Sequence, residues 1–412
     1  MTFTSQRSLP SPKPQAERAS AFDRWLLRTM MAALPRAGYE TVLWDGSSAG
    51  ASGSDMRVHI ADRSALRQLV RNPELHFGDL YGQGRIEVEG NLVSFLERTY
   101  AALEAGRRAQ SSPWWQLWRP PAPRGRSLTD ARDNIQHHYD LGNDFYELWL
   151  DRDAMQYTCA YFPEPGMTLE AAQRAKMDHV CRKLQLKPGQ RVIEAGCGWG
   201  GFALHMAREY GVSVRAWNIS REQIAYASER ARASGLGDRV SFIEDDYRNI
   251  QGECDAFVSV GMLEHVGPEN YRALGATIER CLAPEGIGLI HTIGRNRPMP
   301  MIGWIERRIF PGAHPPALSE MMAIFEPFDF SVLDVENLRL HYAQTLGHWL
   351  ARYLAALDSI RTSRGDEFAR IWHLYLAGSI AAFTTGMMQL FQVTFARARN
   401  NALPPTRRHL YD

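Results

Sequence analysis

Two polar side chains lie within apolar stretches in the second half of this chain. Glu264 falls in the stretch VSVGMLEHVG, and His291 falls in the stretch GIGLIHTIG. A buried carboxylate is costly unless it is hydrogen-bonded, and carboxylates and imidazoles are the groups that most often move protons in enzymes. These residue types predict proton-transfer chemistry for Glu264 and His291. The neighbouring His265 is explained equally well as a structural residue at a helix start, so we assign it no role.

A glycine-rich segment, VIEAGCGWGG, has the pattern of a ligand-binding loop at the start of a helix. Gly196, Gly198 and Gly201 match the dinucleotide pattern G-x-G-x-x-G, but an NAD site also expects an acidic residue about 20 positions later. The sequence has Asn218 there. Glu194, just before the first glycine, favours a cationic ligand such as the methionine moiety of S-adenosylmethionine. A glycine turn that serves packing alone is the alternative.

Strands and helices alternate from about Lys187 onward, which predicts a parallel sheet with helices on both faces. The strand-like segments are RVIEAG, VSVRAWNIS, VSFIEDDY, CDAFVSVGM and GIGLIHTIG, with helices starting near Gly200 and at REQIAYASERARASG. The carboxyl ends of parallel strands meet at one edge, where ligands of such sheets bind. We therefore expect the glycine loop, Glu264 and His291 to lie near one another at that edge.

The first part of the chain predicts a separate small domain. Residues 1–15 are rich in Ser and Pro and are expected to be disordered. Residues 16–108 mix strand-like runs (MRVHI and GRIEVEG) with helical runs, which predicts a small α+β domain. The proline-containing residues 109–128 predict a linker, and residues 129–412 predict the catalytic domain.

The segment AFDRWLLRTMMAAL predicts an amphipathic helix near the N-terminus. Phe22, Trp25, Leu26 and Met30 share one face of this helix, which we expect to pack inside the domain. A basic amphipathic helix that touches a membrane is the alternative interpretation.

Composition limits the class of protein. A net charge of +1 gives no argument for nucleic acid, and we expect no nucleic-acid partner. His137 and His138 lack further ligands at helical spacing, so we expect no metal. The cysteines are odd in number and no pair is spaced C-x-x-C, which argues against disulfides and zinc and favours a reducing cytoplasm. They are Cys159, Cys181, Cys197, Cys254 and Cys281.

Two further patterns bear on membranes. The N-terminus lacks the apolar core of a signal peptide. Residues 374–396 carry no charge and are long enough to span a bilayer. Phe391, Val393 and Phe395 alternate with Gln392 and Thr394, however, and this period of two predicts a strand rather than a membrane helix.

Six motifs occur in order: HHYDLGNDFY, MQYTCAYF, EAGCGWGG, VSVGMLEHVGPENY, HTIG and HYAQTLGHW. Together they resemble the cyclopropane-fatty-acyl-phospholipid synthase family of S-adenosylmethionine-dependent methyltransferases, from about Asp133 to the C-terminus. GDLYGQGRIEVEG extends the resemblance more weakly into the N-terminal domain. The resemblance implies the class I methyltransferase fold, a Rossmann-like α/β sheet of six parallel strands and one antiparallel strand, with LFQVTFA as the last strand.

Matched motif by motif, the resemblance implies four segments that contact S-adenosylmethionine. They are Tyr157 and Thr158; Val192, Ile193, Glu194, Ala195, Gly196, Cys197, Gly198, Trp199 and Gly200; Asn218, Ile219, Ser220 and Gln223; and Asp246 and Tyr247. WNIS departs from the VTIS-like run more usual in the family. The resemblance further implies a bicarbonate ion held by Cys159, Glu264, His291, the backbone of Ile293, and Tyr342. Cys159 is assigned this contact only, and no covalent role. By proximity to Cys159, the rings of Tyr157, Tyr161 and Phe162 are candidates for stabilising a cation.

The reaction implied by the resemblance is transfer of a methylene group from S-adenosylmethionine to the cis double bond of a phospholipid acyl chain, which forms a cyclopropane ring. Bicarbonate is then the base. The implied partner is a membrane phospholipid, reached by peripheral contact with the inner membrane surface from the cytoplasm, and a homodimer is compatible with it. One alternative is a related methyltransferase that leaves a methyl or methylene branch or methylates a small-molecule amine. Another is an inactive lipid-binding protein.

Overall fold

The computed structural model describes residues 18–34, 36–108 and 141–411. The chain divides into two compact units, Met1–Trp118 and Arg119–Asp412. The predicted disordered start and the predicted linker, together with His137 and His138, lie outside the described residues. The domain boundaries predicted near residues 15 and 128 therefore stay predictions.

The first unit is a small α+β fold, built on a four-stranded sheet in the order β2-β1-β3-β4. β1 and β3 are parallel, and β2 and β4 flank them antiparallel. The predicted strands MRVHI and GRIEVEG are confirmed as β3 and β4. The elements are α1 (Ala21–Ala32), β1 (Glu40–Leu43), β2 (Ser48–Gly50), β3 (Arg57–Ile60), α2 (Arg63–Arg71), α3 (Pro73–Gly82), β4 (Ile86–Glu89) and α4 (Leu92–Arg108).

α1 presents a different face to its domain from the one the sequence predicts. Phe22 and Trp25 are 54% and 53% exposed, whereas Asp23, Leu27 and Met31 are buried. Asp23 caps the helix with Ser20 and accepts a hydrogen bond from Arg63 Nε at 2.9 Å. Because this buried ion pair holds the Asp23 side inward, the apolar face turns outward. The predicted helix is confirmed as part of the domain, but the face with Phe22 and Trp25 is not the one that packs.

The second unit contains a seven-stranded sheet in the order β10-β11-β9-β8-β5-β6-β7. β11 runs antiparallel to both of its neighbours, β9 and β10, while the β9-β8-β5-β6-β7 pairs are parallel. This is the α/β sheet of six parallel strands and one antiparallel strand that was expected. The strands are β5 (Arg191–Ala195), β6 (Ser213–Asn218), β7 (Val240–Glu244), β8 (Cys254–Val260), β9 (Leu282–Gly294), β10 (Phe330–Asn337) and β11 (Gln389–Arg397).

Helices connect these strands and cover the sheet. Apolar side chains of the strands and helices form two buried clusters, one of which contains Val192 and Phe202 and the other Ile193 and Phe257. The helices are α5 (Asn143–Glu147), α6 (Leu169–Lys183), α7 (Gly201–Glu209), α8 (Arg221–Ala233), α9 (Tyr271–Cys281), α10 (Gly303–Arg308), α11 (Leu318–Phe325), α12 (Arg339–Ala355), α13 (Leu357–Arg364) and α14 (Asp366–Thr384).

The uncharged stretch from residue 374 to 396 is divided between α14 and β11, so the strand predicted for its second half is confirmed. No helix in the described ranges is long and apolar enough to cross a membrane. β11 is buried on both faces, and β9 and β10 pair with its two edges. The polar face of its alternating pattern, with Gln392 and Thr394, therefore points into protein rather than solvent.

Candidate functional site

A pocket opens at the carboxyl edge of the parallel strands, where the glycine loop joins β5 to α7. Its lining comes from the segment before α6 and from the ends of β5, β6, β7 and β8. The lining residues are Met155, Gln156, Tyr157, Thr158, Glu194, Gly196, Cys197, Gly198, Trp199, Trp217, Asn218, Ile219, Gln223, Asp245, Asp246, Tyr247, Arg248, Val260, Gly261, Met262, His265, Val266 and Asn270. The four segments predicted to contact the cofactor thus all contribute to one pocket.

The glycine loop is held tightly against its neighbours. Gly196 has a φ of +85°, and its N–H donates to the Trp217 carbonyl at 2.9 Å. A Cβ on Gly196 would lie 2.8 Å from the Cβ of Met262. Only glycine therefore fits here, since a side chain meets both backbone strain and a clash.

We expect Gly196→Ala to unfold at a lower urea concentration than the wild type, with a free energy of unfolding lower by about 2 kcal/mol or more. The variant should also bind cofactor less tightly. Gly235→Ala is the matched control, because Gly235 has a similar φ of +67° with nothing within 4 Å of its added Cβ. The control should lose only the backbone contribution, about 1 kcal/mol. Equal decreases in the free energy of unfolding of the two variants would show that the contact with Met262 is unimportant.

Glu194 is the buried carboxyl of this pocket. It is 2% exposed, and its Oε2 has no hydrogen-bond partner among the described residues. Burial raises its pKa to about 8, and the nearby Lys176 ammonium opposes the rise. Glu194 lines the pocket, and such a carboxyl suits a cationic ligand. The positive charge of the ligand would stabilise the ionised carboxylate that burial otherwise disfavours.

Lys176 is a functional candidate that sequence reasoning missed. It is 1% exposed, and its Nζ donates to Gln156 Oε1 at 2.7 Å and to Thr158 Oγ1 at 2.8 Å, two residues of the pocket wall. Burial lowers its pKa to about 8. A signal was present in the sequence, because Lys176 falls at helical spacing among the buried positions Ala172, Gln173 and Val180 of α6.

Amide groups line the part of the pocket beside β6. Asn218 Nδ2 donates to Gln223 Oε1 at 2.7 Å, whereas Gln223 Nε2 is buried without a partner among the described residues. A free amide donor fits the hydroxyl groups of a ribose. Asp246 is already bound by Arg248, at 2.7 and 2.9 Å, so its carboxylate is largely satisfied within the protein.

A second group of polar atoms lies beside this pocket, between β8 and β9. Glu264 Oε1 accepts the Ile293 N–H at 2.5 Å, and Glu264 Oε2 has no partner among the described residues. Burial raises the pKa of Glu264 to about 7. His291 Nδ1 contacts Gln392 Nε2 at 3.1 Å, and its Nε2 likewise has no partner among the described residues. Burial holds the pKa of His291 well below its usual value, so the imidazole is neutral.

Cys159 and the backbone of Tyr342 both contact Leu338, just before α12. The Cys159 Sγ lies 3.9 Å from the Leu338 carbonyl oxygen, which also accepts the Tyr342 N–H at 3.1 Å. Burial raises the pKa of the Cys159 thiol, so it is neutral and poorly suited to nucleophilic attack. Leu338 is tied to the sheet, since its N–H donates to the Leu390 carbonyl of β11 at 2.8 Å.

Contacts along the chain link these two groups to the pocket. Thr158, beside Cys159, packs on Gly261, where an added Cβ would lie 2.9 Å from the Thr158 methyl. The Gly261 N–H donates to the His291 carbonyl at 2.9 Å. Thr158 and Gly261 both line the pocket, so Cys159 and His291 lie beside its wall, as does Glu264, whose near neighbours Met262 and His265 also line it.

Several predicted residues do not line the pocket. Within the described residues, the lining omits the predicted cofactor contacts Val192, Ile193, Ala195, Gly200 and Ser220, and also Cys159, Glu264, His291, Ile293 and Tyr342. Val192, Ile193 and Ala195 are core side chains of β5, and the Ser220 hydroxyl caps α8. Conversely, His265, which was assigned no role, does line the pocket.

Two solved structures share this fold. The cyclopropane synthase MmaA2 from Mycobacterium tuberculosis superposes with a TM-score of 0.62 at 28% identity, over 66% of this chain and 100% of that chain. The mycolic acid cyclopropane synthase CmaA1, complexed with SAH and CTAB, superposes with a TM-score of 0.61 at 30% identity, over 68% of this chain and 99% of that chain. Together with the glycine-loop pocket, the fold defines a class I S-adenosylmethionine-dependent methyltransferase.

The sequence narrows this class to one family. Residues 126–393 match the model described as Mycolic acid cyclopropane synthetase, and the chain belongs to that family. A probable fatty acid methyltransferase from Pseudomonas putida is 36% identical over 384 residues, which cover 90% of this chain and 95% of the relative. The cyclopropane-fatty-acyl-phospholipid synthase of Escherichia coli (strain K12) is 43% identical over 269 residues, 65% of this chain and 69% of the relative. Residues 26–110 match a family described as a domain of unknown function.

Proposed function

We propose that the protein transfers a methylene group from S-adenosylmethionine to the cis double bond of an unsaturated phospholipid acyl chain and so forms a cyclopropane ring, with bicarbonate as the base. The observation that carries the proposal is the pair of buried atoms without partners among the described residues, Glu264 Oε2 and His291 Nε2, beside the pocket wall. Relatives named for fatty acid methylation and for cyclopropane formation on phospholipid acyl chains support the substrate class.

S-Adenosylmethionine, when bound, supplies an electrophilic methyl group to the alkene. Glu194, Gln223 and the loop at Gly196, which line the pocket, would hold it, and the Glu194 carboxyl would offset its positive charge. The transferred carbon must lose one proton before the ring closes, and a bicarbonate ion would supply the base for that loss. The protein itself would bind and orient the cofactor, the alkene and the bicarbonate ion and exclude water from them.

Two of the proposed bicarbonate ligands, Glu264 and His291, can donate a hydrogen bond to an anion. Glu264, whose pKa is about 7, is largely protonated below that pH and can donate from Oε2. As the Gln392 amide is oriented, its Nε2–H donates to His291 Nδ1, which places the remaining imidazole proton on Nε2. The Tyr342 hydroxyl is a further neutral donor, whereas the Cys159 thiol donates to the Ala160 carbonyl at 3.1 Å and can contribute only a van der Waals contact through its sulfur.

Aromatic rings at the pocket can stabilise positive charge on the substrate. Tyr157 lines the pocket, and its hydroxyl lies 2.8 Å from that of Tyr375. Of the three predicted rings it is the one that lines the pocket, because Tyr161 stacks on His179 at 4.4 Å and Phe162 stacks on His348 at 5.4 Å. A ring face over a desolvated cation contributes about 2 kcal/mol.

The test is incubation of the purified protein with methyl-labelled S-adenosylmethionine and vesicles of unsaturated phospholipid, followed by mass spectrometry of the acyl chains. We expect one CH₂ per modified double bond, and slower turnover in buffer depleted of bicarbonate. Label in a methyl or methylene branch, or only on an amine, would contradict ring formation. An unchanged rate without bicarbonate would contradict the proposed base, and no binding of the cofactor would favour an inactive lipid-binding protein.

Gln392→Leu tests how the His291 proton is placed. Loss of the amide donor lets the neutral imidazole adopt either tautomer, so we expect kcat to fall about tenfold with the cofactor Kd unchanged. Thr394→Val is the matched control on the same face of β11, because the Thr394 hydroxyl is buried without a partner among the described residues. Its loss should cost neither activity nor stability. Equal activity of Gln392→Leu and wild type would exclude the tautomer role.

The proposed setting is the cytoplasm, with peripheral contact at the inner membrane surface through residues 16–108. All five cysteines are free and buried, which suits a reducing compartment. A homodimer is compatible with this setting and is tested by light scattering of the full chain.

A further inference from the structure

α1 carries an apolar patch on the surface of the first unit. Phe22 and Trp25 are 54% and 53% exposed, and their rings stack with centroids 5.6 Å apart. Leu26 and Met30, on the same face, are only partly buried. Large aromatic side chains are seldom left together in water, and a contiguous apolar patch commonly marks a contact surface.

The helix cannot turn this patch inward without breaking polar contacts. The opposite face carries Asp23, fully buried, which accepts hydrogen bonds from Ser20 and from Arg63 of α2. Leu27 and Met31 extend the same buried face. Turning the helix would leave the buried Asp23 carboxylate without these partners, which is unfavourable, so the contacts set the orientation of α1.

Exposed arginines lie on α1 and on the neighbouring helix α2. Arg28 is exposed on α1, and Arg67 and Arg71 are exposed on α2, one and two helical turns beyond the Arg63 that binds Asp23. None of these three exposed arginines forms an ion pair within the described residues. α2 has no acidic residue, so its exposed arginines are not neutralised within the helix. Aromatic residues beside arginines are the combination that anionic lipid headgroups and the interfacial zone of a bilayer attract.

We propose that a docking surface, made of the apolar patch with Phe22 and Trp25 and the exposed Arg28, Arg67 and Arg71, holds the protein on a leaflet that contains anionic phospholipid. The two aromatic rings enter the interfacial zone, and the arginines contact headgroup phosphates. The proposal rests on the proposed function for its purpose, since an enzyme that modifies phospholipid acyl chains must reach them in a bilayer. It identifies the surface that makes that contact.

Co-sedimentation of the full-length protein with vesicles, without cofactor, tests the surface independently of catalysis. The wild type should bind vesicles of phosphatidylglycerol and phosphatidylcholine more tightly than vesicles of phosphatidylcholine alone, and less tightly as salt is raised. Phe22→Ser with Trp25→Ser should weaken binding to both at least about tenfold. Arg28→Gln, Arg67→Gln and Arg71→Gln together should weaken binding about 100-fold to anionic vesicles and little to neutral ones.

The matched control is Leu340→Ser with Val335→Ser, which removes two side chains of the second unit that are 58% and 41% exposed. It should bind vesicles like the wild type, and all variants should keep the wild-type Tm and cofactor Kd. Unchanged vesicle binding by the aromatic variant would overturn the proposal. So would its conversion from a dimer to a monomer in light scattering, because the patch would then contact a second copy.

Turnover assays distinguish a failure of the docking surface from a failure of the proposed function. With lipid dispersed in detergent, the aromatic variant should turn over at the wild-type rate, and with vesicles its KM should rise at least about tenfold. Wild-type protein that binds anionic vesicles through the patch but modifies no acyl chain would refute the proposed function and leave the docking surface standing.

Discussion

Replacing Glu264 with alanine is expected to lower kcat about 10³-fold and to leave the Kd for S-adenosylmethionine within about twofold of the wild type. Glu264 is absent from the pocket lining, so cofactor binding should not depend on it. Catalysis should depend on it, because its Oε2 is the proposed donor to bicarbonate while Oε1 is held by the Ile293 N–H. Single-turnover kinetics and calorimetry measure the two quantities separately.

Glu264→Gln tests whether Glu264 acts as a protonated carboxyl group or as a carboxylate. Glutamine keeps an acceptor for the Ile293 N–H and a donor at the other position, so we expect it to retain about ten times more activity than alanine. The wild-type rate should fall above pH 7, where Glu264 ionises and repels an anion, and the glutamine variant should lack this fall. A variant with glutamine as inactive as the alanine variant would indicate that Glu264 acts as a carboxylate.

The free energy of unfolding should also depend on the ionisation of Glu264. The folded pKa of Glu264 is raised from 4.5 to about 7, so the folded state loses stability as pH rises through this window. Above pH 7, Glu264→Gln should therefore unfold at higher urea concentration than the wild type. A less stable glutamine variant at that pH would contradict the buried, protonated state.

Replacing Glu194 with glutamine is expected to weaken S-adenosylmethionine binding about 10- to 100-fold, the loss of a charged hydrogen bond in a buried site. The carboxyl has a pKa of about 8 in the free protein and is mostly protonated at pH 7. The positive charge of the ligand lowers that pKa, so binding at pH 7 should release close to one proton. Calorimetry in buffers of different ionisation enthalpy measures the release, which the variant should lack.

The stability of Glu194→Gln distinguishes weaker cofactor binding from a loss of fold. The pKa of Glu194 is raised from 4.5 to about 8, so the free wild-type protein loses stability between those pH values and the variant does not. At pH 8 the free variant should be the more stable protein and the weaker binder. Tight binding by the variant, or binding without proton release, would remove Glu194 from the cofactor site.

The sequence by itself determined the sheet, the family and the edge at which the site forms. Glycines between β5 and α7 and alternating apolar segments are local signals, and the carboxyl ends of parallel strands necessarily share one edge. For this reason Glu194, Glu264 and His291 could be placed near one another without a structure. The period of two in LFQVTFA likewise indicated a strand where hydropathy alone allowed a membrane span.

Tertiary structure decided which side of each element faces the protein and which polar atoms lack partners. Periodicity shows that Phe22 and Trp25 share a face, but the buried pair of Asp23 with Arg63 turns that face outward. In the same way, antiparallel pairing of β11 with β9 places Gln392 directly opposite His291, 101 residues away in the chain. Such contacts join distant segments whose desolvation and charge depend on all their neighbours together, and no local pattern contains that information.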